Sequence, residues 1–477
     1  MTAAGRRVLW LLVAAGAPAQ VRADPVPVVG REARKGLELT VYTQDVALVK
    51  DTREVPIPSG EQLLRFEDVA ARIDPSTVTV RSLTEQDRLA LLEQTVAVDA
   101  ISPDALLARS IGKEVDLVET DVKLRTRVTP ATLLGTTGGL VFRVGDQVVI
   151  NPPGRVVLHE LPEGLGVRPS LLWRLLNTGP DWHRLEVAYL TAGLSWTADY
   201  VATLNDDDSV LDLTVWATIT NQSGARYDDA TVALVAGQLH RVSPTPRPMA
   251  GETMMFRAAA APAPTEETFS EYHLYTLPSR ATLGDREAKQ IELLRTAGVP
   301  VQRKLTAIGQ AAWLRSPQGD LAQQLPVTAS VELVNDPAHR LGLPLPAGTV
   351  RLYQRDPSKS LRLVGEDRLP DTPGDGKARL TLGNAFDVQA TRRQTEFRSV
   401  SVKPYDHEVA VALTLRNGGA QAVTVDVREP MVGEWKLVES SVPATPVDAG
   451  TLGFTTDVPA KGETTITYRV QVGSGRS

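Results

Sequence analysis

The sequence predicts an all-β protein with few short helices. It is organised in several domains: immunoglobulin-like β-sandwiches plus a small barrel-like meander near the N-terminus. Three observations carry this. Val, Thr and Leu alternate with polar residues in short runs separated by Gly, Pro, Asn and Asp, the period of half-buried strands. Residues 211–221 (LDLTVWATITN), 327–335 (VTASVELVN) and 409–417 (VAVALTLRN) all alternate and stop at asparagine. Asparagine tolerates left-handed backbone and closes Asx-turns, which suits the corners of such sandwiches. Finally, one helix alone is convincing.

The elements follow in chain order. Arg6 and Arg7 precede an apolar run over residues 8–15, then Ala17-Pro18-Ala19 and Val21-Arg22-Ala23. A basic start, a short apolar middle and an A-x-A-like end predict a signal peptide over 1–23, cut after Ala19 or Ala23. The run is too short to span a bilayer, and no later segment approaches ~20 apolar residues. The mature chain is therefore expected to be periplasmic or secreted, with no integral membrane segment. Residues 37–42 and 78–83 read as strands, with Pro56-Ile57-Pro58-Ser59-Gly60 as a turn between them. The helix starts after Ser102, with Pro103 and Asp104 in its first turn. Leu106, Leu107 and Ile111 supply its apolar face, and Gly112 ends it. Five short strands follow, over 115–118, 131–134, 140–144, 148–150 and 155–158, joined by Gly-containing turns.

We expect an N-terminal β domain over 24–165, its barrel-like part spanning 112–162. A central sandwich over 166–320 and a C-terminal sandwich over 321–477 follow. Within the central domain, 243–270 is rich in Pro and Ala, lacks periodicity, and reads as a flexible loop. Met254-Met255-Phe256 is its one feature suited to binding.

Removing the leader leaves 454 residues, roughly three domains by length. The leader carries three arginines and no acid, so the mature chain has 48 basic and 57 acidic residues, a formal charge of −9. This surface disfavours nucleic acid and anionic membranes as partners. The chain contains no cysteine, which excludes disulfides, thiolate metal sites and a cysteine nucleophile.

Recognisable chemistry is sparse. No two of His159, His183, His240, His273, His339 and His407 have metal-ligand spacing, so they read as isolated surface residues, and no metal or cofactor is expected. Gly193-Leu194-Ser195-Trp196-Thr197 lacks the second glycine of a nucleophile elbow. Ser110-Ile111-Gly112-Lys113 fits S-x-x-K only across a helix end. Asp206-Asp207-Asp208 reads as a solvated hairpin tip, since calcium loops space their ligands. The densest constellation is Tyr189–Tyr200, three aromatics and an acid around Gly193. Exposed, Tyr189, Trp196, Asp199 and Tyr200 would form a binding platform for a sugar or peptide. Buried, the rings would anchor a core, with Leu194, Trp196, Ala198 and Tyr200 sharing one strand face.

At this motif the chain resembles exported bacterial proteins with a mucoidy-inhibitor-like domain of unknown function. The resemblance rests on Tyr189-Leu190-Thr191, Gly193–Tyr200, Val215-Trp216-Ala217-Thr218, Asn221, Ser223-Gly224 and Leu234-Val235-Ala236-Gly237. Val41-Tyr42, Ala47-Leu48-Val49, Phe66-Glu67-Asp68-Val69, Ile73-Asp74-Pro75, Leu92-Glu93-Gln94 and Ile111-Gly112-Lys113 extend it towards the N-terminus. It departs at Thr43-Gln44, where that family more often has Asn-Gln. The resemblance implies export and β architecture, and transfers no catalytic residue.

Three functional classes remain. The first is a non-enzymatic envelope protein binding another protein or a polysaccharide. The second is an envelope hydrolase drawing a carboxylate pair from Glu186, Asp199, Asp228 and Asp229. The third is a carbohydrate-binding module using Tyr189, Trp196 and Tyr200.

Overall fold

The structure of the chain, a computed structural model, describes residues 26–97, 103–120, 125–160, 168–237, 239, 266–269, 272–402 and 405–473. The expected leader, Ser102 and almost all of 243–270, including Met254-Met255-Phe256, lie outside the described residues. Strands hold 65% of the described residues and helices 5%, so side-chain alternation along strands decides what is core. The chain divides into two compact units. One takes Met1–Lys35, Thr52–Val69 and Val80–Glu186; the other takes Gly36–Asp51, Ala70–Thr79 and Val187–Ser477.

The first unit contains β1 (Gly60–Glu67), β2 (Leu89–Ala97) and a short helix α1 (Pro103–Ala108). It continues with β3 (Glu114–Thr120), β4 (Thr126–Gly135), β5 (Val141–Val144), β6 (Gln147–Ile150), β7 (Arg155–Leu158) and β8 (Ser170–Asn177). β8 lies antiparallel between β1 and β2. The five strands from β3 to β7 form one sheet in the order β6-β5-β4-β3-β7. That sheet stays open, because its four-residue edge strands β6 and β7 each pair on one side among the described residues; the barrel-like part is an open meander. Val115, Leu117, Ala131, Leu133 and Phe142 form its core, and Leu107 of α1 packs against them. α1 stops short of the expected end. Gly112 adopts φ 84°, its N–H donates to the Leu133 carbonyl, and Ile111 is left exposed. The backbone bond to the sheet replaces a further helical turn.

The second unit contains β9 (Leu194–Leu204), β10 (Val210–Asn221), β11 (Glu287–Ile308), β12 (Val327–Asn335), β13 (Gly348–Arg355), β14 (Leu361–Leu369) and β15 (Tyr405–Asn417). A ten-stranded sheet includes the run β14-β13-β9-β10-β11. β13 runs parallel to β9, and the other neighbours in the run are antiparallel. Gly193 starts β9 at φ 87°, where an added Cβ would sit 2.6 Å from the Gln222 carbonyl oxygen. Only glycine fits both the conformation and the approach. β15 belongs to a five-stranded sheet, and Leu413 and Leu415 on it join Val427, Phe454 and Ile466 in a core.

The expected asparagine corners are built alike. Asn221, Asn335 and Asn417 are each buried. Each Nδ2 donates across the corner, to Ala225 and Gly284, to Leu343 and Pro373, and to Gln421 and Pro459. Each Oδ1 accepts a backbone N–H, from Ser223, Gly342 and Gly419. One amide thus satisfies backbone groups that the turning strands strand from water. Asn177 at the end of β8 is a fourth example, donating to Ile57 and Pro180 and accepting from Gly179.

Among the described residues, two arginines lie fully buried. Arg53 donates to the Val29 and Glu67 carbonyls and stacks on Phe66, 3.7 Å from the ring centroid. In the second unit, Arg392 Nη2 lies 2.8 Å from Glu429 Oε2 and donates to the Tyr468 hydroxyl. Burial pushes the Glu429 carboxyl up, and Arg392 opposes the shift.

Candidate functional site

Alternation along β9 separates the candidates of the Tyr189–Tyr200 constellation. Leu194, Trp196, Ala198 and Tyr200 point inward, while Ser195, Thr197 and Asp199 point outward. Trp196 is 1% exposed; its indole N–H donates to the Val235 carbonyl, and its ring meets Tyr275 edge-on at 6.2 Å. The hydroxyls of Tyr200 and Tyr275 donate to the carbonyls of Pro346 and Pro344. Burial pushes the Tyr200 phenol up, with Tyr275 and Asp371 adding to the shift. Tyr189 is buried, its hydroxyl accepting from the Ala70 N–H. None of the three rings offers a free face for stacking.

Asp199 instead occupies the outer face of the sheet, in the middle of a polar chain crossing five strands. Gln290 Nε2 on β11 donates to Thr218 Oγ1 on β10 at 3.1 Å, and Thr218 donates to Asp199 Oδ2 at 2.6 Å. Arg351 on β13 places Nη1 3.6 Å from Asp199 Oδ1, and its Nε 3.0 Å from Glu366 on β14. Trp216 lies directly opposite Asp199, half-buried on this outer face. Tyr353 lies opposite Thr203 on the same face, also half-buried, with exposed Leu363 across from it. The register shifts beside both rings: between Val215 and Trp216 against β11, and between Leu352 and Tyr353 against β14. Bulges bend the strand and re-aim the side chain beside them.

The model of a domain of unknown function, DUF4139, matches residues 185–473, more than half of the chain. The chain belongs to this family. No curated protein matches it. The DUF4139 region contains all of β9 to β15, and with them the face around Trp216.

Trp216, which belongs to the resemblance motif Val215–Thr218, and Tyr353 are absent from the expected site residues, although the sequence carries a signal for both. In LDLTVWATITN the core positions are 211, 213, 215, 217 and 219, so Trp216 is an aromatic on the polar phase of an alternating strand. Tyr353 breaks phase in the same way against Val350 and Leu352.

The candidate acids of a hydrolase do not share the apolar setting that a general acid requires. Within the DUF4139 region, Asp228 pairs with Arg226 at 2.6 Å and Asp229 with Arg280 at 3.2 Å, and Asp199 is bound as above. Glu186 pairs with Arg81 at 2.6 Å in the first unit. The Asp206–Asp208 tip splits its carboxylates: Asp206 faces Lys359, Asp207 accepts from Ser209, and Asp208 accepts from Gln354 beside Arg303.

His183 corrects the expectation of surface histidines, because it is 1% exposed. Both Asn177 Nδ2 bonds go to carbonyls, so its Oδ1 accepts from His183 Nε2 at 3.1 Å, and His183 Nδ1 accepts from Ser82 Oγ at 2.8 Å. Ser82 Oγ accepts in turn from the N–H groups of Thr84 and Glu85. The order of side chains imitates a hydrolytic triad. Here the serine is 2% exposed and its acceptor capacity is taken by backbone, so the group ties strands together.

A shallow cleft in the DUF4139 region is lined by His273, Tyr275, Pro344, Pro346 and Asp371 and encloses about 170 Å³. That admits a few water molecules, below the ~300–1,000 Å³ typical of small-molecule sites.

Proposed function

We propose that this protein is a non-enzymatic binding protein of the bacterial cell envelope, exported by its leader, which presents the sheet face around Trp216 to a partner. One observation carries the reading. Two half-buried aromatic rings, each beside a bulge, share a rigid sheet face with an aligned polar chain from Gln290 to Glu366. Recognition surfaces combine rigid aromatic anchors with a few placed polar groups in this way. Residues 1–23 and the resemblance to exported mucoidy-inhibitor-like proteins support the location.

Two measurements test it. The protein isolated from its native host should begin at Gln20 or Asp24; an intact Met1 in the cytosol would refute export. Immobilised wild-type protein should retain a component of the envelope fraction that a Trp216→Ala variant, folded by circular dichroism, releases. Equal retention by both would remove this face from the function.

A further inference from the structure

We propose that the Trp216 face binds an uncharged glycan chain, laid diagonally across β10, β9 and β13. This rests on the reading of that face as the binding surface, and names its ligand.

The first argument is charge. Asp199, Asp212, Glu292 and Glu366 share the outer face with Arg295, Arg351, Arg355 and Arg368, and their registers interleave the two signs. Glu292 is matched by Arg295, with Nη2 to Oε2 at 2.5 Å, and Arg351 lies between Asp199 and Glu366. Four acids stand against four arginines, so the signs cancel on this face. A polyanion such as nucleic acid or a polyuronate finds no basic track here, since it needs unpaired Lys and Arg along its length. A neutral polyol meets a surface whose charges are already balanced.

The second argument is hydrogen-bonding chemistry. Thr197, Thr203, Thr214, Thr218, Thr220 and Thr349 stand on the outer phase of their strands. Their hydroxyls both donate and accept, as sugar hydroxyls do. Thr218, Asp199 and Arg351 form an ordered chain in which the acceptor and donor roles are fixed. Fixed polar groups of this kind orient a hydroxyl-rich ligand without a net charge.

The third argument is spacing. Trp216 opposes Asp199 and Tyr353 opposes Thr203, four residues further along β9 and on its other side. At ~3.3 Å per residue and ~4.8 Å between strands, the two residues stand roughly 16 Å apart. That separation suits a chain of several sugar rings, with the C–H faces of two of them on the aromatic planes. It exceeds what a monosaccharide spans.

Native gel electrophoresis through soluble polysaccharides tests the assignment. The uncharged probes are hydroxyethyl cellulose, galactomannan and dextran, and the anionic probe is alginate. Wild-type protein should be retarded by at least one uncharged polymer and not by alginate. Trp216→Ala and Tyr353→Ala should each weaken that retardation at least tenfold, and Trp216→Phe should keep part of it. Retardation by alginate alone, by no polymer, or equally in wild type and both alanine variants overturns the proposal. The envelope capture separates the two levels. Trp216-dependent retention of a protein component, with no polymer retarding the chain, sinks the glycan assignment and leaves the binding face standing. Failure of both experiments sinks both readings.

Discussion

Replacing Trp196 by alanine removes the largest ring on the inner phase of β9. The side chain is 1% exposed, so the whole indole volume becomes a cavity or forces collapse. Large buried aromatics replaced by alanine cost about 3–5 kcal/mol. Two features place Trp196 in the upper half of that range. Its N–H satisfies the Val235 carbonyl at 3.0 Å, and leaving a buried acceptor unpaired costs about 1–3 kcal/mol. Its edge-on contact with Tyr275 at 6.2 Å is worth about 0.5–1.5 kcal/mol beyond area. These costs overlap, and we expect a total of about 4–5 kcal/mol. Asp199→Asn is the control, three strand positions away and therefore on the outer phase. It keeps an acceptor for Thr218 and weakens only the 3.6 Å approach to Arg351, so it should cost under about 1 kcal/mol. Guanidinium unfolding followed by circular dichroism reads the difference. With m about 6 kcal/mol/M for a unit of this size, the Trp196→Ala midpoint should fall by roughly 0.7 M and that of Asp199→Asn by less than about 0.2 M. Trp196→Phe, which retains a ring but loses the N–H, should lie between. Equal midpoints for Trp196→Ala and wild type would refute the core assignment, and equal losses for the two sites would refute the phase argument.

Other buried polar groups lead to further expected outcomes. Removing one partner of the buried Arg392–Glu429 pair, as in Arg392→Ala, should cost about 3–5 kcal/mol by thermal or chemical unfolding, while Arg392→Met combined with Glu429→Leu should recover most of it. Glu408 is buried beneath Arg398 and Arg469. Hydrogen bonds from Gln471, then from the two arginines, hold its carboxyl below the usual range. Its folded value therefore lies under its unfolded one. Its contribution is complete above the unfolded value near ~4.3 and disappears as pH falls through the folded value. Unfolding midpoints of Glu408→Gln should accordingly show a shallower loss on acidification than wild type; parallel profiles would dismiss the network. Asn417→Ala should cost about 2–3 kcal/mol, because it strands the Gln421 carbonyl and the Gly419 N–H at a buried corner, and a loss near zero would reduce the corner to ordinary turn propensity.

Strand period and punctuation alone determined a good part of this protein. The five strands of the meander lie where alternation and Gly turns placed them, and Asn221, Asn335 and Asn417 end their strands as written. The inward phase of β9 was equally legible, since Leu194, Trp196, Ala198 and Tyr200 are spaced by two. These features are local: a side chain's face follows from its neighbours in sequence. Asn177 escaped notice because SLLWRLLN lacks the alternation that marked the other corners. Arg53, Arg392, Glu429 and His183 stand on the inward phase of their strands, but their polarity argues for exposure, and only partners from distant segments make their burial tolerable. The candidate site lies wholly on this second level. Asp199, Trp216, Arg351, Tyr353 and Gln290 come from four strands, and their meeting depends on sheet order, register and two bulges. The backbone ladder that sets register uses the same N–H and C=O groups at every residue. The sequence can therefore say which way Trp216 faces, and only the tertiary structure says that it faces out beside Asp199.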